Sequence, residues 1–332
     1  MTVDTPVFPT LEDVLPAVRD ILDRSTDIVC LAHKDADADS LGSALAFAAA
    51  LRDMGKASHP VVPDPRPYLL EWLPGFDRLE TAPSRIDAVF TFDCATTGRF
   101  GEKRGLVENS GRSVVNVDHH VSNTMYGTVN LIEPEASASG QVVYRLLRAL
   151  DLPIGKDTAT NLYAALLTDT GGFRHENTTA EALRLGADLV ALGADPAYVA
   201  LKSYKSKPVT MAKLEAMSIA ALRTELDGRL VWSEATQDML RAANADMVQS
   251  EGIIDELQSI DGILAAVLFK ELGSRQTKIS VRTRGSVDAT ALATPFGGGG
   301  HFRAAGAELQ CGLAEAEEHV LPLARQLIEA AA

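Results

Sequence analysis

The chain has 332 residues, and at about 100–200 residues per domain that length allows two cores. Composition is that of a globular protein, 46% hydrophobic and 23% charged with mean hydropathy +0.03, which excludes fibrous, low-complexity and membrane-spanning classes. A net charge of −14, from 31 bases against 45 acids, argues against binding extended duplex DNA, because an acidic surface repels a long polyanion. The longest weakly polar stretch, Leu41 to Leu51, stops at Arg52, well short of the roughly 20 apolar residues a bilayer span needs, so no membrane partner is expected. The start, MTVDTPVFPT, lacks the basic and apolar runs of a secretory signal, and the cytoplasm is the expected compartment. Cys30, Cys94 and Cys311 lie too far apart for a C-x-x-C zinc site or a disulfide framework.

In chain order, Asp27 to Ala32 is a short apolar run rich in β-branched residues, and Leu41 to Met54 an alanine-rich helical stretch opening at Gly42 and Ser43. Ala88 to Phe92 and Ser113 to Val117 are apolar runs that end abruptly in polar residues, as buried parallel strands do. Helical patterns follow at about 137–150, 157–168, 179–192 and 209–222. LKSYKSKP, residues 201–208, is polar, basic and proline-terminated. Beyond it, Arg229 to Ser233, Ile263 to Phe269 and Lys278 to Arg282 read as strands, with helices near 236–242, 250–258 and 314–331. The expected organisation is an α/β fold: a mainly parallel-sheet domain over residues 1–200, a linker over 201–212, and a smaller α/β domain over 213–332 placed across a cleft.

Each strand-like run of the first domain ends in metal-type ligands: His33, Asp37 and Asp39 after the first, Asp93 after the second, Asp118, His119 and His120 after the third. In open α/β sheets ligands sit beyond the carboxyl ends of the strands, so these loops can share one site. Three aspartates and a histidine crowded into residues 33–39 are costly without a neutralising cation. Imidazoles and carboxylates with no thiolate suit Mn; Mg, Co and Zn are the alternatives. Six or seven ligands exceed the needs of one ion, so two ions roughly 3.5–4 Å apart are the economical reading, a geometry used for phosphoryl hydrolysis. In TDTGGF, residues 168–173, Asp169 could complete the shell where two glycines end a helix. His59, His175 and His319 are read as surface or hydrogen-bonded residues.

In the second domain, FGGGGHFRAAG (296–306) sets glycines before His301, a loop whose amides at Gly298, Gly299 and Gly300 could approach a phosphate, followed by a small-residue helix start. The neighbouring KISVRTRG adds Arg282 and Arg284, and residues 262–306 carry six bases against two acids.

HKDADADSLGS (33–43), FDCATTGRFG (92–101), VDHHVSN (117–123), TDTGGF and FGGGGHFRAAG, in this order over nearly the whole chain, resemble the DHH phosphoesterase superfamily, in the branch with a DHH-associated C-terminal domain. It is most similar to the oligoribonuclease and phosphoadenosine phosphate phosphatase group, some of whose actinobacterial relatives act on cyclic di-AMP or its linear product. One departure is Ala36, where the family usually has proline. The resemblance implies that His33 and Asp37 hold one ion, Asp39, His119 and Asp169 the other, and that Asp93 bridges. It implies that Asp118 orients an imidazole, that His120 contacts the scissile phosphate or protonates the leaving oxygen, and that Arg282, the glycine run and His301 grip the rest of the substrate. The implied activity is hydrolysis of oligoribonucleotides of two to five nucleotides, linear or cyclic diadenylate, and nucleoside bisphosphate to 5′-monophosphates, by in-line attack of water, in a homodimer. An inorganic pyrophosphatase or exopolyphosphatase is the competing enzyme, and a nucleotide sensor without turnover the non-catalytic alternative.

Overall fold

A computed structural model of the chain describes residues 8–81, 83, 85–108 and 110–331. It divides into two compact units, Met1–Ser206 and Lys207–Ala332.

The first unit opens with α1 (Leu11–Arg24), whose N-terminus is closed by a reciprocal Thr10–Asp13 capping box. Then come β1 (Asp27–Leu31), α2 (Ala38–Asp53), β2 (Ala57–Val61), β3 (Ala88–Phe92), β4 (Ser113–Asp118) and β5 (Val129–Ile132), followed by α3 (Ser139–Ala149), α4 (Lys156–Asp169), α5 (Ala180–Ala191) and α6 (Pro196–Ala200). The five strands form one wholly parallel sheet in the order β2-β1-β3-β4-β5. Its central strands are apolar on both faces, as burial from both sides demands. Ile28, Cys30, Phe90, Phe92, Val115 and Val117 join the core that contains α2, α3 and α4. Val29, Leu31, Val89 and Val114 pack on the other face with Phe100 and Val107.

The helix expected from Leu41 begins three residues earlier, at Ala38, because Asp37 accepts the Ser40 N–H at 2.9 Å and caps it; Gly42 and Ser43 lie inside the helix rather than opening it. The polar stretch 201–208 is a π-helical turn over Leu201–Lys205 followed by three residues that lead into the next helix.

The second unit holds α7 (Val209–Ala220), β6 (Arg223–Glu225), β7 (Leu230–Ala235), α8 (Gln237–Ala243), α9 (Ile253–Gln258), β8 (Ala265–Gly273), β9 (Gln276–Thr283), α10 (Ala289–Ala293), β10 (Gly299–His301), β11 (Ala304–Leu309) and α11 (Leu313–Ala330). Its sheet is mixed, in the order β10-β11-β9-β8-β7-β6, with β7 and β8 parallel and the other pairs antiparallel. One face packs Trp232, Val267, Val281 and Ala305 with α10 and α11, and the other packs Val231, Ala266 and Leu268 with residues of α7, α8 and α9. The FGGGGHFRAAG segment is neither an open loop nor a helix start. Gly299–His301 and Ala304–Leu309 are the arms of an antiparallel hairpin, and the small residues 304–307 form a strand that pairs with β9. Among the described residues no helix is long and apolar enough to cross a membrane.

Candidate metal centre

The residues predicted for the first unit converge at the carboxyl ends of β1, β3 and β4. His33 follows β1 and is buried. Its main-chain N–H donates to Ser40 Oγ at 3.1 Å, and that hydroxyl donates to the Phe92 carbonyl at 3.1 Å, tying the end of β1 to the end of β3. The ring donates Nδ1–H to the Lys34 carbonyl at 2.8 Å, which turns Nε2 toward Asp93 Oδ2, 3.4 Å away. Arg99 Nη2 lies 2.9 Å from the same Nε2.

Asp93 stands one residue past β3 with φ +57°, a left-handed conformation uncommon outside glycine and frequent where function fixes a side chain. Asp39, in the first turn of α2, accepts the main-chain N–H groups of Ser139 and Gly140 at 2.8 Å each. Its carboxylate thus closes the N-terminus of α3, whose own flanking residue, Ala138, has no side-chain acceptor. Asp169 is the last residue of α4. Gly171 and Gly172 donate back to the Thr168 and Leu167 carbonyls, the paired bonds of a Schellman helix end, while Asn177 Nδ2 lies 3.3 Å from Asp169 Oδ2.

Asp118, the last residue of β4, is completely buried. One of its oxygens accepts the N–H of His119 at 2.8 Å, the N–H of His120 at 3.2 Å and His120 Nδ1 at 2.7 Å, and the other accepts Asn123 Nδ2 at 2.5 Å. His119 donates Nδ1–H to the Ala136 carbonyl at 3.0 Å, which turns Nε2 toward Asp93 at 3.5 Å, Asp169 at 3.8 Å and Asp39 at 3.9 Å.

Two clusters result, His33–Asp37–Asp93 and Asp39–His119–Asp169, each with ligand-type atoms within 4.8 Å of one another; Asp93 also groups with His119 and His120. The ionisation behaviour is that of a site short of positive charge. Burial, then the Asp93 and Asp169 carboxylates, push Asp39 well above the usual carboxylate range. Burial and neighbouring carboxylates push Asp169 up to about 7. Burial would raise Asp93 too, but three histidines, His33 foremost, outweigh it and hold that carboxyl well below the usual range. Burial would lower His119, and the carboxylates of Asp169, Asp93 and Asp39 instead lift it to about 9. His120 is likewise raised against the pull of burial, chiefly by its hydrogen bond to Asp118. Carboxylate oxygens and imidazole nitrogens free of thiolate fit a divalent metal ion.

Of the histidines read as surface or hydrogen-bonded, His59 pairs with Glu80 at 2.9 Å and Asp27 at 3.3 Å, His175 lies beside the site with Nδ1 3.3 Å from the Asp169 carbonyl, and His319 is exposed on α11. The supporting residues Ser139, Ala136, Asn177, Asn123 and Ser40 carried no sequence-based expectation. Only Ser40 and Asn123 fall inside a recognised motif.

In the second unit, His301 of β10, Ala304 of β11 and Arg282 of β9 are directly opposite one another. Residues so paired share a face, so the His301 and Arg282 side chains flank small Ala304 about 10 Å apart, two strand spacings. On the same face Lys278 pairs with Lys270, whose ammonium is fully buried 2.8 Å from Glu251, and Arg282 contacts Asp255 at 3.3 Å. The glycines have separate reasons. A Cβ at Gly298 would lie 2.1 Å from the Gly306 carbonyl and one at Gly300 2.3 Å from the Ala304 carbonyl, so the hairpin itself requires both. Nothing lies within 4 Å of a Cβ at Gly299.

A parallel α/β unit with carboxylate–imidazole clusters at its strand ends, followed by a mixed-sheet unit with a basic face, is the arrangement of a metal-dependent hydrolase in two parts. The DHH family N-terminal domain is matched over residues 27–167 and the DHHA1 domain over residues 234–330. The chain belongs to the DHH phosphoesterase family, with a DHHA1 domain after the first. It is 30% identical over 296 residues to a bifunctional oligoribonuclease and PAP phosphatase of Thermus thermophilus, covering 89% of this chain and 88% of that one. It is 24% identical to a cyclic-di-AMP phosphodiesterase of Listeria monocytogenes, covering 92% of this chain and 48% of the relative. An exopolyphosphatase-related protein from Bacteroides fragilis superposes with a TM-score of 0.84 at 23% identity over 96% of each chain, a likeness of fold.

Proposed function

We propose that the chain hydrolyses short oligoribonucleotides, nucleoside 3′,5′-bisphosphates and linear or cyclic diadenylate to nucleoside 5′-monophosphates, using two divalent ions with Mn favoured. The observation that carries this reading is the pair of clusters linked through Asp93, which groups with His33 and Asp37 and also with His119, joined to the activities named for relatives that align with most of this chain. His33 and Asp37 would hold one ion, Asp39, His119 and Asp169 the other, and Asp93 would touch both. Bound there, the ions supply charge stabilisation at the transferring phosphoryl group and lower the pKa of the attacking water.

The protein's own groups have distinct tasks in this scheme. Asp118 accepts the Nδ1–H of His120 and, with Asp93, favours its imidazolium form, in which Nε2 also carries a proton that it can give to the departing oxygen. Asn123 and the two main-chain donors hold the buried Asp118 carboxylate in a fixed orientation. Arg282 and His301 recognise a second phosphate of the substrate by charge-assisted hydrogen bonds, Arg282 with a guanidinium fork. Gly299 gives a main-chain approach unhindered by a side chain.

The test is a chromatographic turnover assay with Mn and parallel substrates: 5′-phosphorylated diadenylate, phosphoadenosine phosphate, cyclic di-AMP, pyrophosphate and a 30-mer RNA. AMP from the first two with pyrophosphate inert and the 30-mer slow is the expected result. Pyrophosphate turnover alone, or equal rates on the 30-mer and the dinucleotide, overturns it.

A further inference from the structure

We propose that Ser139 is a positioning residue that fixes Asp93 across the two clusters and makes them one coupled centre. The proposal rests on the reading of these clusters as ion sites given above. Asp93 belongs to the first cluster and reaches the second through His119: Oδ2 faces His33 Nε2 at 3.4 Å, while Oδ1 faces His119 Nε2 at 3.5 Å and His120 Nδ1 at 3.6 Å. The left-handed backbone at Asp93, held by its N–H donating to the Val117 carbonyl at 3.0 Å, sets where Cβ points. It does not set the rotation of the carboxylate plane, because the terminal sp³–sp² torsion of aspartate is broad. The Ser139 hydroxyl supplies that restraint by donating to Asp93 Oδ1 at 2.9 Å, with both residues buried.

Ser139 is itself immobilised from the other cluster. Its main-chain N–H donates to Asp39 Oδ2, and the next N–H, of Gly140, to Asp39 Oδ1, each at 2.8 Å. One residue therefore grips a carboxylate of each cluster, Asp39 through its main chain and Asp93 through its side chain. The N-terminus of the eleven-residue α3 adds fixed positive partial charge beside both. The same segment continues the restraint: the Ala136 carbonyl accepts His119 Nδ1–H, and Asn177 Nδ2 donates to the Ser137 carbonyl at 2.9 Å while lying 3.3 Å from Asp169 Oδ2. Without the hydroxyl, Asp93 is free to turn an oxygen away from one cluster, and outer partners of this kind alter metal affinity by about 10- to 100-fold.

The experiment strips the full chain with chelator and titrates Mn into wild type, Ser139→Ala and Ser139→Cys, reading uptake by calorimetry and the spin state by electron paramagnetic resonance. Wild type is expected to take up two ions and to show the signal of a coupled pair. Ser139→Ala is expected to bind at least one ion about 10- to 100-fold more weakly and to show the signal of isolated Mn. Ser139→Cys keeps side-chain volume with only a weak donor, and it reports the same loss should the alanine variant fail to fold. Unchanged isotherms and an intact coupled signal in the folded variants overturn the role given to Ser139. A wild-type chain that takes up no pair of ions overturns instead the reading of the clusters.

Discussion

Lys270 offers a sharp test of how the second unit tolerates charge in its sheet. Its side chain is fully buried and its ammonium lies 2.8 Å from Glu251, whose side chain is 57% exposed. At that distance and an effective dielectric of about 20, the direct attraction is about 6 kcal/mol, before the cost of dehydrating the ammonium. Glu251→Gln leaves the cation buried with Lys278 and Arg282 nearby and no full counter-charge. Breaking such pairs costs about 3–5 kcal/mol, and the exposure of Glu251 puts this one at the lower end, about 3 kcal/mol. Lys270→Met, an apolar replacement of similar length, removes the charge with its dehydration cost and is expected to be neutral or stabilising. The assay is urea unfolding followed by Trp232 fluorescence in a Trp72→Phe background, so that the signal comes from β7 beside Lys270. A Glu251→Gln loss below about 1 kcal/mol, or a Lys270→Met loss as large as that of Glu251→Gln, refutes the reasoning. The pH dependence follows in sign. Burial holds the Lys270 ammonium below 10.5, against the opposing pull of Glu251, so between the folded value and 10.5 the unfolded chain binds more protons. This group's contribution to stability therefore rises with pH in that window, and Lys270→Met flattens the rise.

Asp118→Asn keeps the shape but removes the charge and sets an amide against four donors; turnover is expected to fall about 100-fold, and more than half the wild-type rate would contradict the orienting role. Gly298→Ala should destabilise the hairpin by about 2 kcal/mol or more in thermal melts, while Gly299→Ala should leave stability unchanged and raise KM for bisphosphate; equal melting of the two variants contradicts the separation of structural and ligand-facing glycines. Dialysis against chelator should abolish turnover, and singly restored ions should rank Mn ahead of Mg, because two of the ligand groups are imidazoles on which Mg has little hold; full activity with Mg alone reverses that order.

The apolar runs 27–32, 88–92 and 113–117 were legible as parallel strands because central strands, buried on both faces, carry a nearly continuous apolar signal. The edge strands β2, ASHPV, and β5, VNLI, carry a histidine and proline or too few residues, and gave no such signal. The glycine run misled for a related reason: small residues mark a loop, a helix start or a tightly packed hairpin alike, and only the neighbouring carbonyls of Ala304 and Gly306 decide among them. Sequence by itself determined which ligand-type side chains the fold gathers, because these are side-chain identities and most follow strand ends: His33, Asp37, Asp39, Asp93, His119 and Asp169 are all recognisable as residues. The tertiary structure alone decided how they are held. Asp39 closes a helix that begins 100 residues later, Asp93 is fixed by Ser139, and His119 by the Ala136 carbonyl. Such partners have no period and no fixed spacing along the chain; they exist only where the fold brings a main-chain donor or acceptor to a buried polar atom that requires one.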